Sequence, residues 1–84
     1  MMNTKFANIG FNNIVNIDKV VAVLSPESLP CKRLVNDARE SSKLIDASCG
    51  RKTRAVVVME NNQVVLCGLN TDTIAARLNL EIKG

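Results

Sequence analysis

Basic side chains crowd one short stretch, Gly50-Arg51-Lys52-Thr53-Arg54, which runs without a break into the apolar segment Ala55-Val56-Val57-Val58-Met59. Arg carries a planar fork of donors and Lys a mobile ammonium, so the chemistry open to this stretch is the capture of an oxyanion such as a phosphate. Gly50 can take the positive φ of a tight connection and so present the following basic residues at an edge of the fold. If the strand already begins at Lys52, alternation puts Lys52 and Arg54 on one face and Arg51 and Thr53 on the other, a geometry suited to a phosphate backbone. A basic turn can also do no more than keep a strand end soluble, so the rest of the chain has to decide between the two.

Catalytic groups are scarce. The chain has no His, which removes the usual general base, the Ser-His and Cys-His pairings and the commonest metal ligand. Cys31, Cys49 and Cys67 are odd in number and share none of the close spacings of zinc or redox motifs. They read as reduced, mostly buried fillers, and neither a metal site nor a cofactor is expected. A Lys or Cys nucleophile would lack a base and a second convergent group, so the chain is not expected to be an enzyme.

Charge separates along the sequence. Lys32 to Arg54 holds seven basic residues against three acids, while the remainder is slightly acidic and the whole carries +3. That asymmetry favours a polyanionic partner. Phe6 and Phe11 are the only aromatics, which argues against a stacking platform for single-stranded nucleic acid and leaves the identity of the polyanion open. No apolar run approaches the ~18 residues of a membrane span, and the N-terminus leads into no signal-peptide core, so a cytoplasmic protein away from membranes is expected.

The 84 residues are read as one domain, 1–84, of α+β class: a small mixed or antiparallel sheet with two helices. Phe6 to Phe11 alternates as a first strand, and Ile14, Val15 and Ile17 begin a connection back toward the sheet. Val20–Leu24 is a β-branched run apolar on both faces. A helix follows over about Pro30–Ser41, with Cys31, Leu34, Val35 and Ala38 at the i, i+3, i+4, i+7 spacing of one buried stripe. Lys43–Ser48 and Ala55–Met59 read as strands. Asn61-Asn62 sits where a two-residue hairpin turn falls, and Gln63–Leu69 returns. A second helix near 71–79, capped by Asn70 or Thr71, buries Ile74, Ala75 and Leu78. Leu80 and Ile82 trail from it without a place.

Three of these strands are apolar at odd and even positions alike, so both sheet faces need cover. Two short helices with narrow stripes are expected to leave part of the sheet bare, and pressing it against further copies of the chain is the economical remedy. A homo-oligomer follows. Cover by loops and by the tail carrying Leu80 and Ile82 is the other possibility.

The ordered blocks Asn8-Ile9-Gly10-Phe11-Asn12-Asn13-Ile14-Val15, Ser25-Pro26-Glu27-Ser28, Leu44-Ile45-Asp46-Ala47 and Gly50 through Val57 resemble the RemA family of bacterial extracellular matrix regulatory proteins, from about Lys5 to Leu80. The resemblance implies a DNA-binding regulator of transcription acting on biofilm matrix genes, a closed ring of identical subunits, and double-stranded DNA held by the basic loop. Carried onto this sequence, the DNA contacts fall on Arg51, Lys52 and Arg54, with a further basic position at Lys19. Lys52 and Lys19 stand where family members more typically have Arg, which keeps the charge and loses the planar fork. The competing reading is a ring-forming assembly or adaptor protein whose basic rim binds an acidic protein.

Overall fold

The computed structural model describes residues 6–79, and Leu80 and Ile82 lie outside them. The chain opens with a two-stranded antiparallel ribbon, β1 (Phe6–Gly10) and β2 (Asn13–Asn16), in which Gly10 faces Asn13 across the turn. Both turn residues, Phe11 and Asn12, have positive φ (54° and 68°), the signature of the primed turns that match strand twist. The expected connection at Ile14, Val15 and Ile17 is therefore corrected: Ile14 and Val15 belong to β2 and return along β1, and Ile17 opens a single 3₁₀ turn. That turn is capped by Asn16, whose side-chain oxygen accepts the Asp18 N–H at 2.9 Å.

The main sheet is four-stranded and mixed. Its order is β3 (Val20–Leu24), β5 (Ala55–Met59), β6 (Val64–Cys67), β4 (Leu44–Ala47), antiparallel except where β4 runs parallel to β6. Four residues, Glu60 to Gln63, link β5 to β6; Met59 N–H donates to the Gln63 carbonyl at 2.8 Å and encloses Glu60, Asn61 and Asn62, so the expected two-residue turn at Asn61-Asn62 is corrected to a three-residue one in which Asn62 takes positive φ (64°). Its Met59–Asn62 hydrogen bond of 3.2 Å gives a tight turn followed by one left-handed residue, the usual three-residue hairpin.

Helix α1 (Leu29–Glu40) starts one residue earlier than the sequence suggests, because the Ser28 hydroxyl accepts the Cys31 N–H at 3.3 Å and Pro30 sits in the first turn. It ends in a Schellman arrangement: Lys43 N–H donates to the Ala38 carbonyl (2.8 Å), Ser42 N–H to Arg39 (3.4 Å), and Ser42 occupies the left-handed position at φ 62°. Helix α2 (Thr71–Asn79) is capped by Asn70, which accepts the Thr73 N–H at 2.8 Å.

Each sheet face has its own core. Val56 and Val64 meet Cys31 and Ala38 of α1, whereas Ala55, Val57, Val65 and Cys67 meet Ile74 and Leu78 of α2. Ile9 and Ala7 of β1 complete the second core, which corrects the expectation of a bare face: the ribbon and α2 cover it together. Residues at odd and even positions are apolar because both sides are packed. Among the described residues no strand pairs with the outer side of β3 or of β4. Val21 on β3 is 64% exposed and Ile45 on β4 is 45% exposed.

Candidate nucleic-acid interface

The basic loop leaves β4 through a tight turn. Arg51 N–H donates to the Ser48 carbonyl at 3.0 Å, and the two residues between, Cys49 and Gly50, both have positive φ (56° and 81°). Gly50 takes the left-handed conformation the sequence asked of it, at no steric cost. Asp46 anchors the turn from the strand side: its carboxylate accepts the Ser48 hydroxyl at 2.6 Å and the Ser48 N–H at 3.0 Å. Those two donors, the hydroxyl first, hold the Asp46 carboxyl below its ordinary pKa. Ser48 is buried, so its polar groups need these partners.

The ribbon braces the loop from the other side. Asn13 donates its side-chain N–H to the Ala47 carbonyl (3.3 Å) and to the Gly10 carbonyl (3.2 Å), tying the first turn of the chain to the end of β4. The Arg51 guanidinium carbon lies 4.5 Å from the centroid of the Phe11 ring, a cation–π contact of about 0.5–1 kcal/mol at an exposed site. Gly68 makes room for it. A Cβ there would stand 2.9 Å from Cε2 of Phe11 and 3.4 Å from the Ser48 carbonyl oxygen, so any side chain at 68 displaces the ring under Arg51. The loop rejoins the sheet where Arg54 N–H donates to the Cys67 carbonyl at 2.8 Å.

Lys52, Thr53 and Arg54 are coil, and β5 starts at Ala55. The alternation that would apply to a strand beginning at Lys52 therefore does not sort these side chains between two faces. Arg51, Lys52 and Arg54 are all exposed, Thr53 is half-buried, and among the described residues no carboxylate lies within ion-pair distance of any of the three cations. A cationic group that is braced by its neighbours and left unneutralised can receive an anion without first breaking an internal pair.

Lys19 is elsewhere. It precedes β3, whose Val20 pairs with Met59 at the far end of β5, so a strand of five residues, roughly 15 Å at ~3.3 Å per residue, separates it from Arg54. Its ammonium pairs with Glu60 at 3.4 Å, and its carbonyl accepts the Glu60 N–H at 2.9 Å. The structure brings Arg51, Lys52 and Arg54 together in one loop and leaves Lys19 apart.

Sequence reasoning missed Phe11, Asn13, Asp46 and Gly68, which hold the loop without carrying its charge. Gly68 inside an apolar run was the available signal, since a strand glycine often marks a close backbone or ring approach. Arg77, in the last turn of α2, donates to the Asn8 carbonyl at 2.9 Å and docks α2 on the ribbon. The thiols offer no rival chemistry in the core: burial pushes Cys67 up to about 11 and raises Cys31. Among the described residues no group of three or more His, Cys, Asp or Glu could hold a metal ion, and no helix is long and apolar enough to cross a membrane.

The described residues form a three-layered α+β domain, helix α1, sheet, then α2 with the ribbon, presenting one braced basic loop with no carboxylate partner among them. Residues 6–78 match the model of the RemA-like family, described as extracellular matrix regulatory protein A-like. Relatives named "Putative regulatory protein" are found in Carboxydothermus hydrogenoformans, 47% identical over 93% of this chain and 90% of theirs, and in Alkaliphilus metalliredigens, 50% identical over 93% and 84%. A relative of the same description in Bacillus cytotoxicus is 53% identical over 93% and 90%. The chain belongs to the RemA-like family.

Proposed function

We propose that this protein is a bacterial regulator that binds duplex DNA through Arg51, Lys52 and Arg54, displayed once per subunit of a homo-oligomeric ring, and that it acts on genes of the extracellular matrix. The observation that carries the reading is the loop itself: three exposed cations, free of carboxylate partners among the described residues, on a turn held by Asp46, Asn13 and Phe11. Family membership supports the regulatory role, and the matrix genes come from the family's description.

Assembly is supported by the sheet edges. β3 and β4 are different strands, each with an exposed β-branched residue, Val21 and Ile45, and with no strand paired to its outer side among the described residues. Unlike edges can meet only head to tail, and a repeated head-to-tail contact closes into a ring when its rotation permits. Repetition then turns a weak phosphate patch into a site, because contacts along one duplex act at high effective concentration. Lys19 contributes as a second, weaker contact: its distance from the loop is on the scale of the ~12 Å major groove, and it must give up Glu60 to reach a phosphate.

Electrophoretic mobility shift of a duplex fragment across a salt series tests this reading. A complex that forms at 50 mM salt and weakens steeply by 200 mM is expected. An intact oligomer that shifts no duplex even at the lowest salt would overturn it in favour of an adaptor for an acidic protein.

A further inference from the structure

Beside the basic loop, α1 and the sheet enclose an open cleft of about 350 Å³, within the usual range of small-molecule sites. Its floor is apolar, built from Val35 of α1 and Val56 and Leu66 of the sheet. Its wall is polar and of one sign. Lys32, Asn36 and Arg39 follow the i, i+4, i+7 spacing, so at 100° per residue they fall within about 60° of one another and border Val35. Of the acids of α1, Asp37 lies about 100° beyond Asn36 and Glu40 about 40° beyond it, and among the described residues no carboxylate lines the cleft. Asn36 accepts a hydrogen bond from the Arg39 guanidinium at 3.1 Å, which sets the guanidinium along the wall. Among the described residues neither Lys32 nor Arg39 has a carboxylate within ion-pair distance. Thr53, between Lys52 and Arg54, forms part of the rim.

We propose that this cleft is a site for a nucleoside phosphate, with the phosphates held by Lys32 and Arg39 and the base and sugar lying on the half-buried Val35 and Leu66, above the buried Val56. A bare phosphate uses only the wall. The backbone of a duplex has no apolar face to set on the floor, whereas a nucleotide matches both parts, an anionic end and a flat body of low polarity. Because Thr53 is shared between the cleft rim and the basic loop, occupancy alters the loop that the proposed DNA binding uses. That coupling rests on the DNA reading, while binding to the cleft stands without it.

Equilibrium dialysis of the full chain with adenosine 5′-diphosphate, adenosine and inorganic pyrophosphate as probes, together with methyl NMR of Val35, Val56 and Leu66, tests the proposal. Saturable binding of the diphosphate at millimolar concentration or below is expected, with those methyl signals moving and each half-probe at least tenfold weaker. The double substitution Lys32→Ala with Arg39→Ala should weaken the diphosphate at least tenfold while duplex DNA affinity changes less than threefold. Arg51→Ala should do the reverse, so failure of the DNA reading and failure of the cleft are separable. Pyrophosphate binding as well as the diphosphate would reduce the cleft to a surface anion patch and overturn the proposal. So would methyl signals that do not respond, or loss of duplex affinity in the Lys32/Arg39 variant, which would make the wall a stretch of the DNA path.

Discussion

Arg51 differs from Lys52 and Arg54 in being fixed from below. The Phe11 ring lies under its guanidinium, and Phe11 can sit there only because Gly68 has no side chain. Gly68→Ala is therefore expected to weaken duplex binding several-fold without removing any charge, by moving the ring that holds Arg51; an unchanged affinity in a folded variant would show that the brace is dispensable. Lys52→Arg should hold or improve binding by supplying a planar fork. The carboxylate of Asp46 gives the loop a pH dependence. Its pKa is lowered in the folded state, so its contribution is complete above the ordinary carboxylate range near ~4 and is lost as pH falls through the lowered value. Acid titration of wild type against Asp46→Ala should show the two stability curves converging below about pH 4, and parallel curves down to pH 2 would place the effect elsewhere. The charge of this site was legible in the sequence because charge needs no partner to be seen. Its supports were not, since Phe11 and Arg51, or Asn13 and the Ala47 carbonyl, lie far apart in the chain and meet only through the sheet.

At the scale of elements, β5, β6 and α1 could be read to within a residue or two because continuous β-branched runs and a clean helical stripe have no close competitor. β1 was legible to within a residue as well, but β2 was not. The turn places Phe11 in a left-handed conformation that favours Gly or Asn, so Phe11 looked like the end of a strand and Ile14, Val15 and Ile17 like a connection. The expectation of a bare sheet face had a separate cause: the pattern of β1 shows a strand but not where it packs, and β1 carries Ile9 into the core beside α2. The same left-handed logic gives a stability prediction at the end of α1. Ser42→Gly should stabilise the fold by about 0.5–1 kcal/mol, since Ser pays a Cβ penalty at φ 62° that Gly does not. Chemical denaturation measures it, and a destabilised Ser42→Gly would mean the Schellman turn is absent in solution. Ile74 is fully buried between α2 and the sheet, and Ile74→Ala should cost about 2–5 kcal/mol in the same assay.

At the scale of the whole molecule the two unlike sheet edges decide whether one subunit suffices. A charge set on β3 at its exposed position, Val21→Lys, should leave the subunit folded, because Val21 contributes little to either core, and should disperse the oligomer. Sedimentation of wild type as a stable single chain at micromolar concentration would remove the ring. The central claim concerns the loop in its repeated form, and the slope of log affinity for duplex DNA against log salt tests it most directly. Each phosphate contact contributes about 0.9 to that slope, so Arg51→Ala in an oligomer that touches DNA through several subunits should flatten it by well over one unit while the oligomer keeps its size. An Arg51→Ala oligomer that binds duplex DNA with the wild-type affinity and slope would contradict it.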